Sequence, residues 1–175
     1  MTVLTFLDSE TTGLDPTVHM PWEACWWRDD VDAPRTEILP HVLDYADPKA
    51  LEVNRYHERE IEPGWCVPER WQAVADLRVD LIGVVIVGCN PGFDMGMLAP
   101  LLRCQPWHYR SINIADGAMW IFGWEKPKGL DGIVAELIDR GYDIPVPDHS
   151  AEADVRATRA AYYALRDLRT RMATA

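Results

Sequence analysis

Positive charge is scarce in this chain. Lysine and arginine together number 17 against 28 aspartates and glutamates, so the formal net charge is −11, and only three of the basic residues are lysines. Proteins that hold a long stretch of nucleic acid do so mainly by placing lysine and arginine on its phosphates. The balance therefore excludes extended, purely electrostatic binding to a polyanion. A polyanionic substrate would have to be bound locally, through a few cationic side chains or through bound metal.

Cysteine pairs and long apolar runs are also lacking. The four cysteines form no CxxC pair and no zinc-ligand spacing, so we expect free thiols packed in the interior. No apolar run approaches the ~18 residues that a membrane helix requires, and the N-terminus has no basic segment followed by an apolar one. We therefore predict a cytoplasmic protein with no membrane partner. A length of 175 residues favours one domain, residues 1–175.

Apolar patterning predicts strands first and helices later in the chain. Residues 3–7, 22–27 and 36–43 are apolar or aromatic runs that suit an antiparallel meander. Residues 81–87 form a β-branched run typical of a buried parallel strand. With one more strand, this order predicts a three-layer α/β fold, a mixed five-stranded sheet flanked by helices. The remaining expected elements are a strand at 109–114, helices at 47–53, 68–79, 94–102, 130–140 and 151–172, and a loop toward the end of 117–128.

Two carboxylates follow the first predicted strand. Asp8 and Glu10 are separated by one residue, so on an extended chain both side chains leave the same face, with Cα atoms roughly 7 Å apart. Like charges so placed repel each other unless something neutralises them, and carboxylate oxygens suit a hard divalent cation such as Mg²⁺. The pair is a candidate metal site. The alternative is a polar strand end that is simply solvated.

Three later residues are further candidates. Asp94 follows the strand predicted at residues 81–87, where α/β folds place ligands, with a helix N-cap as the alternative. His149 and Asp154 are five residues apart and would stand ~140° apart on one helix. Both can face one site only if His149 lies in the loop before the helix. An acid and a histidine that converge in this way suit a metal ligand beside a general base.

In order and spacing, these residues resemble the three motifs of a nuclease family. The family is the DEDDh branch of 3′→5′ exonucleases, which have the ribonuclease H-like fold. The resemblance covers roughly residues 2–168, although residues 117–128 match poorly, and Cys89 stands where relatives often carry histidine. The matching motifs are Asp8-x-Glu10, Asn90-x-x-Phe93-Asp94 and His149-x-x-x-x-Asp154, supported by Thr11-Thr12-Gly13-Leu14, Glu23, the segment at residues 47–60 and Ala151.

The resemblance implies a metal-dependent 3′→5′ exonuclease that releases nucleoside 5′-monophosphates from single-stranded DNA. It implies two Mg²⁺ or Mn²⁺ ions per site. Asp8 would bridge both, Glu10 and Asp154 would complete the shell of the first, and Asp94 would hold the second through water. His149 would be the general base. The substrate-binding residues implied by the family motifs are Thr11, Thr12, Gly13, Leu14, Asn90 and Phe93.

Two alternatives stay open at the level of sequence. One is a nuclease with the same chemistry that acts on RNA or short oligonucleotides. It stays open because recognition of the sugar depends on pocket geometry, which the sequence does not display. The other is an accessory, proofreading-type subunit that binds a polymerase. In the poorly matched segment 117–128, Trp120 and Trp124 are candidates for stacking on unpaired bases.

Overall fold

The structure, a computed structural model, describes residues 2–174. Met1 and Ala175, the two ends of the predicted domain, lie outside the described residues. Five strands form one sheet: β1 (Leu4–Thr11), β2 (Pro21–Arg28), β3 (Arg35–Ile38), β4 (Val85–Gly88) and β5 (Ile112–Asn113). Their order across the sheet is β3-β2-β1-β4-β5. The first three strands pair antiparallel, and β4 and β5 run parallel to β1, which confirms the predicted meander and the mixed sheet.

Six helices flank the sheet. A proline occupies the first turn of the first three, where a missing N–H costs no hydrogen bond. A single 3₁₀ turn, His57–Arg59, follows the first helix. The helices are α1 (Pro48–Val53), α2 (Pro68–Asp80), α3 (Pro91–Leu102), α4 (Ile114–Phe122), α5 (Leu130–Asp139) and α6 (Ala151–Thr174).

Alternation along β1 divides the core into two layers. Phe6 packs in a cluster with buried residues of α4, α5 and α6, whereas Leu7 packs on the opposite face with residues of α2 and α3. Because side chains alternate along a strand, Asp8 and Glu10 leave by the face of Phe6, and Ser9 leaves by the face of Leu7. The end of β1 can therefore be reached by α6 from one side and by α3 from the other.

Three predicted strands need correction, and the one expected at 36–43 ends at Ile38. The run at residues 81–87 is a strand only from Val85, because α2 continues to Asp80 and a turn follows in which Gly83 has a φ of 69°. The strand expected at 109–114 is reduced to two residues, since Asn113 caps α4 by accepting the Ala115 N–H (3.1 Å). Residues 117–122 lie in a helix that the sequence did not predict, and residues 123–129 form the loop expected toward the end of this segment.

The cysteine prediction holds in part. All four cysteines are free, as expected, and Cys25 is buried in the core. Cys66 is exposed, so the expectation of an interior thiol is wrong there, because Cys66 lies in the irregular segment just before α2. Within residues 2–174, no helix is both long and apolar enough to cross a bilayer.

Candidate metal centre

Three acids from two elements converge beside the end of β1. Asp8 and Glu10 project from the strand, and Asp154 projects from the first turn of α6. One ligand oxygen from each lies within 4.8 Å of those of the other two. All three carboxylates are partly accessible, so a cation can reach them from solvent. An all-oxygen donor set of this kind is compatible with a hard divalent cation.

A partly buried ion pair fixes the start of α6 and hence Asp154. Glu23 lies opposite Glu10 on β2, and only 2% of its side chain is exposed. The Ala151 N–H, at the first residue of α6, donates to Glu23 Oε2 (3.2 Å). Arg59 donates to both oxygens of the same carboxylate, including Oε2 at 2.9 Å. Three residues after this anchor, α6 presents Asp154 to the strand.

Asp94 reaches the same strand from the other face. It lies in the first turn of α3, 4% exposed, and its Oδ1 accepts the Ser9 N–H (3.0 Å) and the Ser9 hydroxyl (2.8 Å). The alternative role as a helix cap is wrong, because the N-cap position is Asn90 and no side chain caps this helix. Asp94 is outside the three-acid group but lies close enough for its charge to act on Asp8.

His149 lies in the loop before α6, as its spacing from Asp154 predicts. It is exposed and adopts a φ of 60°. The preceding residue holds the loop: the Asp148 N–H donates to Asp154 Oδ1 (3.2 Å), and Asp148 Oδ1 accepts the Ser150 hydroxyl (2.6 Å). Arg55 donates to the backbone and side chain of Asp148 (2.9 and 3.0 Å). Burial raises the pKa of Asp154, and the neighbouring His149 lowers it in part.

The carboxylates are held in a surrounding that disfavours their charged forms. Burial, followed by the charges of Asp94, Glu10 and Asp154, holds the pKa of Asp8 well above its usual range. Burial and the charges of Asp154 and Glu23 raise the pKa of Glu10 to about 8, and Arg59 lowers it in part. Burial raises the pKa of Asp94 to about 7 against the opposing hydrogen bonds from Ser9. A bound cation would remove this repulsion, so these residues fit a metal ion electrostatically.

Two cavities flank the acids. One, of about 310 Å³, is lined by Glu10 together with three predicted substrate contacts, Thr11, Leu14 and Phe93. The other, of about 450 Å³, is lined by Asp8 and Asp154 and by the predicted contact Asn90, with Asn113 and residues 127–130 among its other walls. Glu10 therefore borders one cavity, and Asp8 and Asp154 border the other.

The other two predicted substrate contacts, Thr12 and Gly13, are buried and shape the turn after β1. The Thr12 N–H donates to the Met20 carbonyl (2.8 Å), and the Thr12 hydroxyl accepts the Met20 N–H (2.9 Å). A Cβ on Gly13 would lie 2.4 Å from the His19 ring, so any larger residue there would require that ring to move. These two residues place Leu14, which is 75% exposed, at the rim of the smaller cavity.

Sequence reasoning missed the residues that position this site. Each of these residues binds a partner that is distant along the chain. Ser9 binds Asp94 over 85 residues, Arg59 binds Glu23 over 36, and Arg55 binds Asp148 over 93. No local pattern marks such partners. The sequence signals were indirect: Ser9 lies between the two acids of the first motif, and Arg55 and Arg59 lie within residues 47–60, a segment that supports the motif resemblance.

Comparison with known proteins gives matches in structure alone. No family model matches the chain, and no curated protein matches it by sequence. Escherichia coli exonuclease I in complex with a dA16 oligonucleotide is similar with a TM-score of 0.70 and 19% identity, over 98% of this chain and 42% of that one. Exonuclease I from Methylocaldum szegediense is similar with a TM-score of 0.67 and 20% identity, over 95% of this chain and 41% of that one.

These matches show the fold. The chain has the three-layer α/β, ribonuclease H-like fold seen in exonuclease I, with a mixed five-stranded sheet flanked by helices, as predicted. It spans about two fifths of the length of the exonuclease I chains that it matches.

Proposed function

We propose that this protein is a metal-dependent 3′→5′ exonuclease that acts on single-stranded DNA and releases nucleoside 5′-monophosphates. The observation that carries the proposal is the convergence of Asp8, Glu10 and Asp154 within 4.8 Å, with Asp94 buried on the far side of the same strand. The similarity to exonuclease I, one structure of which holds a dA16 oligonucleotide, supports the same function.

The four acids would hold two cations between them. Asp8, Glu10 and Asp154 would hold one divalent ion, and Asp8 with Asp94 would hold a second. Bound Mg²⁺ or Mn²⁺ would supply a water of lowered pKa and stabilise the charge that develops on the leaving oxygen. Ser9 keeps the Asp94 carboxylate turned toward β1, and Glu23 keeps α6 in place, so the ligands need little rearrangement.

His149 would take the proton of the attacking water. Its loop position leaves the imidazole exposed at the rim of the acid group, while the contacts of Asp148 fix the backbone next to it. A positioned histidine is the usual general base near neutral pH. Arg55 acts on this histidine only through Asp148 and is therefore a positioning residue.

The terminal nucleoside would occupy the 310 Å³ cavity. Its walls combine the apolar Leu14 and Phe93 with the carboxylate of Glu10, so a base can pack on the first two while the sugar faces the acid. Thr11, Thr12 and Gly13 shape the entrance. Asn90 lines the second cavity, on the side of Asp8 and Asp154.

A nuclease assay tests the proposal. A 5′-labelled single strand is incubated with the protein in Mg²⁺, Mn²⁺ or EDTA, beside Asp8→Ala. A matched control is Glu152→Gln, because Glu152 is an acid on the same helix turn as Asp154 but is outside the acid group. We expect stepwise shortening from the 3′ end with metal, loss in EDTA and in Asp8→Ala, and retention in Glu152→Gln. Activity that survives both EDTA and Asp8→Ala would refute the mechanism.

The sugar preference is a separate arm of the same assay. Matched DNA and RNA strands with identical 3′ ends are degraded in parallel, and a faster loss of the RNA strand would replace DNA with RNA or short oligonucleotides as the substrate. A role as the proofreading partner of a polymerase has no support among these observations.

A further inference from the structure

The 450 Å³ cavity is lined by a cation as well as by two of the acids. Residues 127–130, the loop before α5 and its first residue, line this cavity together with Asp8 and Asp154. Lys128 is the one basic side chain among the residues that line it. Lys128 itself lies in the segment 117–128, which matches the exonuclease motifs poorly.

The Lys128 side chain is held in a defined position. Its ammonium nitrogen lies 4.2 Å from the ring centre of Trp124, a cation–π contact. Its stem lies against Gly132 in the first turn of α5, where an added Cβ would come within 3.0 Å of Lys128 Cβ and Cδ. Trp124 is itself partly buried and packed on Phe122 (4.9 Å), so it supports the lysine rather than offering that ring face to a base.

No acid neutralises this lysine. All ten salt bridges within residues 2–174 are made by arginines, and no described carboxylate lies within 4.0 Å of the Lys128 ammonium. In a chain of net charge −11, an unneutralised ammonium that is fixed beside an acid group is a local attraction for an anion.

We propose that Lys128 binds the strand phosphate immediately 5′ to the phosphate that is cleaved. The inference rests on the proposed exonuclease function. If the terminal nucleoside fills the smaller cavity and the cleaved phosphate lies at the acids, the next nucleotide enters the 450 Å³ cavity. Its phosphate would otherwise meet only carboxylates and neutral groups there. Lys128 is thus a substrate-positioning residue for the strand that remains after cleavage.

Lys128→Met is the informative variant, because methionine keeps an unbranched stem against Trp124 and Gly132 but removes the charge. Lys126→Met is the matched control: Lys126 is exposed, two residues away and outside the cavity lining. Thermal unfolding of both variants is the control that establishes whether they are folded.

The first measurement is equilibrium binding. A fluorescent single-stranded oligonucleotide is titrated with Asp8→Asn protein, which cannot cleave it, in EDTA at several salt concentrations. We expect Lys128→Met to weaken binding roughly tenfold and to reduce the slope of log Kd against log salt by about 0.7, with Lys126→Met unchanged. Equal binding by the two methionine variants would overturn the assignment of Lys128.

The second measurement separates this inference from the proposed function. The p-nitrophenyl ester of thymidine 5′-monophosphate presents one nucleoside and one cleavable phosphate but no further strand. We expect the loss of kcat/KM caused by Lys128→Met to be at least about fivefold larger on the oligonucleotide than on the ester. Equal losses would refute strand binding by Lys128 while leaving the exonuclease intact. Unaltered protein that cleaves neither substrate with Mg²⁺ or Mn²⁺ would refute both.

Discussion

At the scale of the residue, Asp8 is the most constrained side chain of the site. Burial and four neighbouring acids all raise its pKa, because each disfavours its charged form. Such a group is retained at a cost in stability when it is required for function. Activity and stability should therefore respond in opposite directions when its charge is removed.

Asp8→Asn tests this directly. In EDTA near pH 8 we expect the variant to be more stable than the unaltered protein by about 1 kcal/mol, roughly 2–4 °C in Tm, because one repelling charge is gone. Nuclease activity should be lost. Thermal unfolding and the nuclease assay on one preparation provide the measurement, and an Asp8→Asn protein that is both less stable and active would contradict the electrostatic account.

The residues that could be predicted from sequence are those with a local spacing rule. Asp8 and Glu10 share a face because strands have a period of two, and His149 had to precede α6 because a helix would have turned it away from Asp154. Ser9 and Arg59 could not be predicted, since their partners lie 85 and 36 residues away. Their roles follow from packing that the chain sequence does not display.

At the scale of the element, the buried Glu23 carboxylate links β2, α6 and the 3₁₀ turn. It accepts hydrogen bonds from Ala151 and from Arg59, whose guanidinium also lies 4.8 Å from the Trp22 ring centre. Removing the arginine would leave an acid that is 2% exposed without a counterion. An unpaired buried charge costs far more than the pair gains.

Arg59→Met is therefore expected to lower the free energy of unfolding by about 3 kcal/mol, with weaker nuclease activity because α6 and Asp154 lose their anchor. Arg156→Met is the control, since its pair with Glu152 is exposed and should contribute less than about 1 kcal/mol. Urea unfolding of both variants measures the difference. Equal, small losses in the free energy of unfolding of the two variants would show that the Glu23 carboxylate does not need Arg59 as a counterion.

The elements that sequence misplaced share a cause. Residues 81–84 are apolar and β-rich in composition, but Gly83 donates its N–H to the Pro106 carbonyl (2.8 Å) and forms a turn instead of a strand. Residues 114–122 form a helix because Asn113 supplies a cap, although their glycine and aromatic content does not favour a helix. In both cases a tertiary contact or a cap overrides local propensity.

At the scale of the whole molecule, stability without metal should depend on pH through the acids. Between their ordinary values near 4 and their raised values of about 8 for Glu10 and about 7 for Asp94, the folded chain holds protons that the unfolded chain has released. The protonated forms of these two acids therefore stabilise the folded chain at low pH, and this stabilisation is lost as the pH rises toward 8. A bound cation requires the deprotonated carboxylates, so the stabilisation that it supplies increases as the pH rises.

We accordingly expect the rise in Tm caused by Mg²⁺, relative to EDTA, to be larger at pH 8 than at pH 6. The double variant Glu10→Gln, Asp94→Asn should show little Mg²⁺ effect at either pH. Thermal unfolding with and without Mg²⁺ across this range is the measurement. A Mg²⁺ effect that shrinks as pH rises would contradict the assignment of the acids as the cation site.

The location of a bound cation is the sharpest test of the proposed metal centre. Crystals soaked in Mn²⁺ give anomalous diffraction that identifies the ion independently of activity or substrate. We expect an anomalous peak within coordination distance of the Asp8, Glu10 and Asp154 carboxylates, and no such peak in crystals of Asp8→Asn. Manganese bound elsewhere, with no peak at these three acids, would contradict it.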